Sequence, residues 1–336
     1  MNLDFIEITK FISKDRVNFS YLEKIAFYKW GAERYYFDRC NRIEVWYNEA
    51  MNQLKIKGSL PYWINGHNYF SSLNDWKEGL DYMGGCLDVN LYSGLIESFE
   101  FGTIQEIPFP EASFLKNHIG IKGMQPREFF KGKTLTGKEF HSPALKVKLY
   151  DVSRNIKNKL DKPIREEISR LYGWNRDKNY IKIENHYRKP EALFRGNVYL
   201  DELLSENFQK RLQNSLFSTY QRIMKTGKTT IPEKKADINA GTIPLLILKE
   251  LEEIHNFKTE ELLRQKLKEI PEDILSPADR KARQRILREN LKKISLKGKS
   301  EFDISELLKA KIRQEEEAPK NSSSFICEEK GEEILS

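Results

Sequence analysis

Three short stretches of the chain alternate apolar and polar residues, and a period of two predicts strands with one wet and one buried face. Leu95–Ile104 puts Ser98, Glu100 and Gly102 on one side. Leu145–Tyr150 sets Lys146, Lys148 and Tyr150 against Leu145, Val147 and Leu149. Ile181–Arg188 sets Lys182, Glu184, His186 and Arg188 against Ile181 and Ile183. Any half-buried antiparallel sheet shows a wet face, so alternation by itself signals strand and not chemistry.

Other patterns extend this picture. Met1–Ile12 reads as an opening strand with Leu3 and Phe5 on one side and Ile6 and Ile8 on the other, as in a strand buried on both faces. Asn41–Lys57 reads as a hairpin turning at Asn48-Glu49-Ala50. Leu73, Trp76, Leu80 and Met83 form a helical stripe that Gly84-Gly85 should stop. Pro108–Pro143 is rich in Pro, Lys and Gly and reads as a loop, Ile164–Leu171 as a helix. Asp201 is placed to cap a helix running through Leu203, Phe208 and Leu212. Together these predict an α+β fold over residues 1–225, an antiparallel sheet with helices covering one face.

Composition changes near Thr226. Lys225–Gly241 reads as a polar linker, and Pro244–Ile254, Thr259–Ile270 and Pro277–Ile294 carry helical periodicity. Ser276-Pro277 marks a helix start, hydroxyl at N-cap and proline at N1. The last of these helices carries seven cations, among them Arg280, Arg283 and Arg288, which makes 226–296 a basic helical accessory region. From Lys297 the chain is charged, Ser-rich and poor in large apolar residues, so 297–336 is expected to be a disordered tail.

Net charge is +7 and the isoelectric point about 9.0, which suggests an anionic partner. A mean hydropathy of -0.65 and the lack of a run of eighteen apolar residues argue against a membrane span. The N-terminus carries an acid early and lacks the order of a signal peptide. Three cysteines (Cys40, Cys86, Cys327) suit neither a disulfide framework nor a zinc site, so a reducing cytoplasm is expected.

The segment IKGSLPYWINGHNYF, from Ile56 to Phe70, resembles a signature of the filamentous-phage replication initiators, the II/X family. Further on, Phe99-Glu100-Phe101 is similar to that family's Arg-Ile-Asp strand. Lys148-Leu149-Tyr150 occupies the place of its tyrosine, and Lys182-Ile183-Glu184 through Arg188 resembles its Arg-Phe-Glu-x-x-x-Lys strand. The four motifs keep the family's order over about residues 50–210. Glu100 stands where the family tends to have Asp, Arg188 where it has Lys, and no His-hydrophobe-His pair occurs.

The resemblance implies a rolling-circle initiator of a phage or plasmid in a bacterial cytoplasm. Such a protein is a site-specific endonuclease that nicks one strand of a replication origin, single-stranded or supercoiled, and stays attached through tyrosine. Tyr150 would be the nucleophile, and the product a 5′-phosphotyrosine with a free 3′-hydroxyl for a host polymerase, with a host helicase as a further partner. Glu100 and Glu184 would hold Mg²⁺ or Mn²⁺, hard cations that prefer oxygen ligands. Lys146 and Lys148, on the tyrosine's own face, should favour the phenolate. Lys146, Lys148, Lys182, His186, Arg188, His67, Asn68, Arg280, Arg283 and Arg288 are candidate DNA contacts.

Plainer readings exist for each. A tyrosine at a strand end is ordinary, Glu184 beside Lys182 and Arg188 would make a surface ion pair, and His67 would make a turn hydrogen bond with Asn68. The basic helix could be a solvated face. Two rival functions follow: a non-catalytic DNA-binding protein with its carboxylates apart, and a metal-dependent nuclease that activates water and never becomes covalent.

Overall fold

A computed structural model describes residues 2–29, 31–37, 43–69, 71–225, 242–245, 247–248, 259–294, 300 and 302–317. Its strands are β1 (Asn2–Phe11), β2 (Leu22–Lys29), β3 (Ala32–Phe37), β4 (Ile43–Asn48), β5 (Gln53–Ser59) and β6 (Leu95–Ile107), then β7 (His118–Ile121), β8 (Gln125–Lys131), β9 (Thr134–His141), β10 (Leu145–Asp151), β11 (Asn179–Tyr187) and β12 (Ile223–Lys225). Ten of them form one antiparallel sheet in the order β2-β3-β4-β5-β1-β6-β11-β10-β9-β8, and β12 pairs with β7. The architecture is mixed α and β on a large antiparallel sheet, the α+β class expected.

The alternating strands bury the faces their patterns imply. In β10, Leu145, Val147 and Leu149 enter the core while Lys146, Lys148 and Tyr150 stay partly exposed. The hairpin is β4–β5, with Ile43, Val45, Tyr47, Leu54 and Ile56 all buried; its expected first residues, 41–42, lie outside the described residues.

The opening strand departs from expectation. Leu3, Ile6 and Ile8 all join one core, although an unbroken strand would send Leu3 and Ile6 to opposite faces. The register explains this: Leu3 pairs with Phe101 and Ile6 with Phe99, so Asp4 and Phe5 together oppose Glu100. An extra residue of this kind is a β-bulge, and it flips the phase of everything beyond it. β1 is therefore not apolar on both faces; the bulge delivers Asp4 to the polar side.

Helices α1 (Leu60–Asn65), α2 (Leu73–Leu87) and α3 (Glu111–Asn117) precede α4 (Val152–Lys159) and α5 (Lys162–Tyr172); α6 (Pro190–Phe194), α7 (Leu200–Leu203) and α8 (Glu206–Gln221) follow β11. Ser72 and Asp75 form a capping box at the start of α2. The helix runs past Gly84-Gly85 and ends at Asp88 in the left-handed region. Gly84 instead admits the carbonyl of Val89, 2.9 Å from where a Cβ would lie. Likewise Asp201 does not cap one long helix: Ser205 caps α8, accepting from Phe208 N at 3.3 Å. Most helices cover the apolar face. Contrary to the one-sided cover expected, α4 and α5 fold over one end of the polar face, where Val152, Ile156 and Ile168 pack with Ile104, Trp174 and Tyr180.

Two expectations from composition fail. The loop at 108–143 holds α3, β7, β8 and β9; β8 escaped notice because most of its residues are exposed and no alternation marks it. The tail is ordered in part. Here α9 (Thr259–Glu269), α10 (Pro277–Ile294) and α11 (Ser305–Glu317) follow, and Leu308 of α11 and Ile304 just before it enter the core formed by residues 1–225. A buried relay holds it there: Ile304 N donates to Tyr220 Oη (3.1 Å), Tyr220 Oη to His118 Nε2 (2.9 Å), and His118 Nδ1 to the carbonyl of Phe114 (2.7 Å). Residues 302–317 thus belong with 1–225. The expected linker Lys225–Gly241 lies outside the described residues except for Lys225, which ends β12; residues 318–336 and most of the expected helix Pro244–Ile254 lie outside them too. Helices α9 and α10 share a small core of Leu263, Leu287 and Leu291 with Leu245 and Leu248. Among the described residues no helix is long and apolar enough to cross a membrane, and Cys86 is unpaired.

Gly102, opposite Glu184 on β11, lets two backbones approach closely. A Cβ there would lie 2.6 Å from the Ile183 carbonyl oxygen and 3.1 Å from Glu184 Cα. Backbone cannot yield as a side-chain tip does, so Gly102→Ala should destabilise by about 1–3 kcal/mol. Urea unfolding checks this; an unchanged midpoint would refute it.

Candidate active site

Strands β1, β6, β11 and β10 are consecutive neighbours, and each contributes to one buried charge cluster. The bulge supplies Asp4, β6 Glu100, β11 Lys182, Glu184 and His186, and β10 Lys148 and Tyr150. The carboxylates of Asp4, Glu100 and Glu184 each offer an oxygen within 4.8 Å of the others. Only 3 %, 9 % and 1 % of these residues is exposed, and charge at such depth demands partners.

Two lysines answer that demand. Lys182 Nζ lies 2.7 Å from Asp4 Oδ2 and 2.9 Å from Glu184 Oε1. Lys148 Nζ bonds Glu100 Oε1 and lies 3.2 Å from Glu184 Oε2. His186 Nδ1 is 3.0 Å from Glu100 Oε1. Asn68 Nδ2 and Ser59 Oγ each donate to Asp4 at 2.7 Å. Glu184 Oε1 is an exception: although close to Lys182, it lies off the hydrogen-bond direction and accepts no hydrogen bond.

The site is electrically divided. Burial pushes the Glu184 carboxyl up, with Glu100 and Asp4 adding to it and Lys182 and Lys148 opposing. Burial also acts on Glu100, but His186 and Lys148 outweigh it and hold that carboxyl well below the usual range. Burial alone would discharge Lys182; Asp4 and Glu184 keep it charged. For Tyr150, burial and the Glu184 charge push the hydroxyl well above its ordinary value, against Lys182 alone. The expectation that neighbouring cations leave a net bias toward the phenolate is thereby corrected: desolvation is larger, and the lysines are already committed to carboxylates.

The other candidates are dispersed. Lys182, expected to meet DNA, is 1 % exposed and serves as an internal counter-ion. His67 is 4 % exposed, turned toward Tyr69, and burial lowers its pKa. Its neighbour Asn68 is a site residue. Lys146 is half-buried, 3.8 Å from Glu139, and Arg188 is exposed just beyond β11. Arg280 binds the carbonyls of Ile270 and Leu275 and so braces the turn before α10. Arg283 and Arg288 are exposed on α10.

A cavity of about 570 Å³ opens beside the cluster, with Tyr150, Asp4, Glu100 and Glu184 in its wall. Its far side is α4, which begins directly after the tyrosine strand; Asp151 caps it by accepting from Arg154 N at 2.9 Å. Sequence reasoning missed Asp4, hidden by the bulge, and the α4 residues, which carry no motif.

Three carboxylates with one orphaned buried oxygen make an all-oxygen donor set, which suits a hard divalent cation. Three carboxylates against two ammonium groups also leave one negative charge in excess. The residues present therefore fit a metal ion, and the chemistry of the donors does not name which. Compared with known proteins, the chain matches no family model, no curated sequence and no solved structure.

Proposed function

We propose that this protein is a rolling-circle replication initiator, a metal-dependent endonuclease that nicks one DNA strand and becomes joined to it through Tyr150. One observation carries this reading: Tyr150, three carboxylates and Lys148 line one cavity from four adjacent strands, with Lys182 buried behind them. A non-catalytic DNA-binding protein has no need to bury three acids together. The motif resemblance supports the same residues, with Asp4 added.

Asp4, Glu100 and Glu184 would hold Mg²⁺ or Mn²⁺, which supplies charge stabilisation on the scissile phosphate. Tyr150 Oη attacks phosphorus and its proton passes to solvent in the cavity. The bond from phosphorus to the 3′ oxygen breaks, and that oxygen leaves as a hydroxyl on taking up a proton. Lys182, held charged by Asp4 and Glu184, stands under the ring at 5.9 Å from its centroid and only partly offsets the cost that burial and Glu184 place on the phenolate. Because the phosphotyrosine conserves the bond energy, the reverse reaction closes the strand.

A nuclease activating water is favoured by one finding, the raised pKa of the Tyr150 hydroxyl. A covalent adduct separates the two. Wild type incubated with a 3′-end-labelled, sequence-randomised single-stranded pool and Mn²⁺ should give a labelled band running above the free protein on a denaturing gel. Tyr150→Phe should give none while binding DNA as before, since it loses one hydroxyl and keeps the ring. Strand cutting without adduct, or cutting by the variant, would assign the reaction to water.

A further inference from the structure

Around Tyr150 the charges fall into two kinds. Lys148 and Lys182 are locked to carboxylates, whereas across the cavity one face of α4 presents Arg154, Asn155, Asn158 and Lys159. Among the described residues, none of these four side chains makes a hydrogen bond or ion pair. Their helix is anchored by its other face, Val152 and Ile156, so the polar face is held in position without being consumed.

The sheet side of the cavity is aromatic. Tyr150 on β10 pairs with Gly137 on β9, and Gly137 pairs with Phe129 on β8. The two residues therefore stand two strands apart, roughly 9–10 Å between backbones, with a buried glycine, which has no side chain, between them. A Cβ on Gly137 would lie 3.3 Å from Tyr150 Cβ and 3.7 Å from Phe129 Cδ2. Anything larger at this position would fill the slot. An aromatic-walled slot with free cations and amides at its rim has the parts that bind a single nucleotide: rings for the base face, cations for phosphate.

We infer that this slot seats the nucleotide next to the bond being cut, its base between Phe129 and Tyr150 and its phosphate on Arg154 and Lys159. The inference rests on the nicking reading for the word "cut", but the binding it requires is independent of catalysis. It explains why the nucleophile is followed at once by a helix with an unpaired basic face. Asp151, the acid just before α4, is turned into the helix cap and accepts from Arg154 N.

Fluorescein-labelled oligo(dT) binding to the full chain, followed by anisotropy over a range of salt, tests it beside the adduct assay. Arg154→Gln with Lys159→Gln should weaken binding about tenfold and make the log–log salt slope shallower by about 1.4, two cations at about 0.7 each for single strands. Gly137→Val should weaken binding comparably with the slope nearly unchanged, because it blocks the base and leaves the cations. Melting temperatures near wild type establish that the variants fold. Unchanged affinity and slope in both variants would overturn the inference while leaving the nicking reading intact if wild type still forms adduct. No adduct from wild type, with oligo(dT) binding lost in both variants, would overturn the nicking reading and uphold the nucleotide slot.

Discussion

Glu184→Gln should lower nicking about a thousandfold, the kinetic equivalent of roughly 4 kcal/mol of charge stabilisation. The size follows from charge balance. With Glu184 ionised, three carboxylates face Lys148 and Lys182 and one negative charge is in excess. With an amide there, Asp4 and Glu100 are matched by the two lysines and nothing draws a divalent cation. Folding should suffer less, because each lysine keeps one acid: Lys182 keeps Asp4 at 2.7 Å, and Lys148 keeps Glu100. Lys148→Met makes the opposite change and should bind Mn²⁺ more tightly than wild type. Burial raises the Glu184 pKa, so cation binding should also strengthen as pH rises. A Mn²⁺ titration followed by calorimetry reads the three changes in cation affinity, and the rate of adduct formation on the labelled single strand reads the loss of nicking. Wild-type affinity in Glu184→Gln would show that the cluster is only a buried salt-bridge network.

Much of this site is legible in the residues because strands expose their chemistry every second position. Lys148, Tyr150 and Glu184 sit on unbroken alternation, and Glu100 on the alternating stretch beyond the register shift at Glu97. Each residue's face is therefore legible locally, and the adjacency of the strands is what is new. Asp4 is different. A bulge is a relation between two strands, and one strand read alone shows only a phase slip at Asp4-Phe5, which is equally the mark of a strand apolar on both sides. β8 escapes for a related reason: with most of its residues exposed, it lacks the contrast that periodicity measures. Composition misleads at the other end of the chain. Residues 302–317 are mostly polar, yet a few groups fix them: Ile304 and Leu308 enter the core, Lys311 donates to the carbonyl of Ile104 at 2.6 Å, and Gln213 donates to Glu315 at 3.0 Å.

That anchoring makes the fold sensitive to mild acid. His118 is fully buried between Phe114 and Tyr220, donating from Nδ1 and accepting at Nε2, so it must be neutral to complete the relay to Ile304. Burial lowers its pKa from 6.5 to about 3, with Lys225 and Lys138 acting in the same direction and Phe114 and Asp303 opposing. A histidine with a depressed folded-state pKa contributes its stability fully above pH 6.5. Below that the unfolded chain takes up a proton that the folded chain refuses, and stability falls by about 1.4 kcal/mol per pH unit down to about pH 3. The whole window is worth of the order of 5 kcal/mol, a large part of a typical domain's stability. Measurement is cleanest between pH 6.5 and 5, above the range where carboxylates of the unfolded chain titrate. His67, also lowered by burial, adds to the slope there, so the informative comparison is wild type against His118→Phe. The variant leaves the Tyr220 hydroxyl without its acceptor and is less stable at pH 8, but its stability should fall less steeply with acid, by one proton. Equal slopes in urea unfolding would mean that His118 is protonated in the folded protein, and that the relay holding α11 is not the neutral one described.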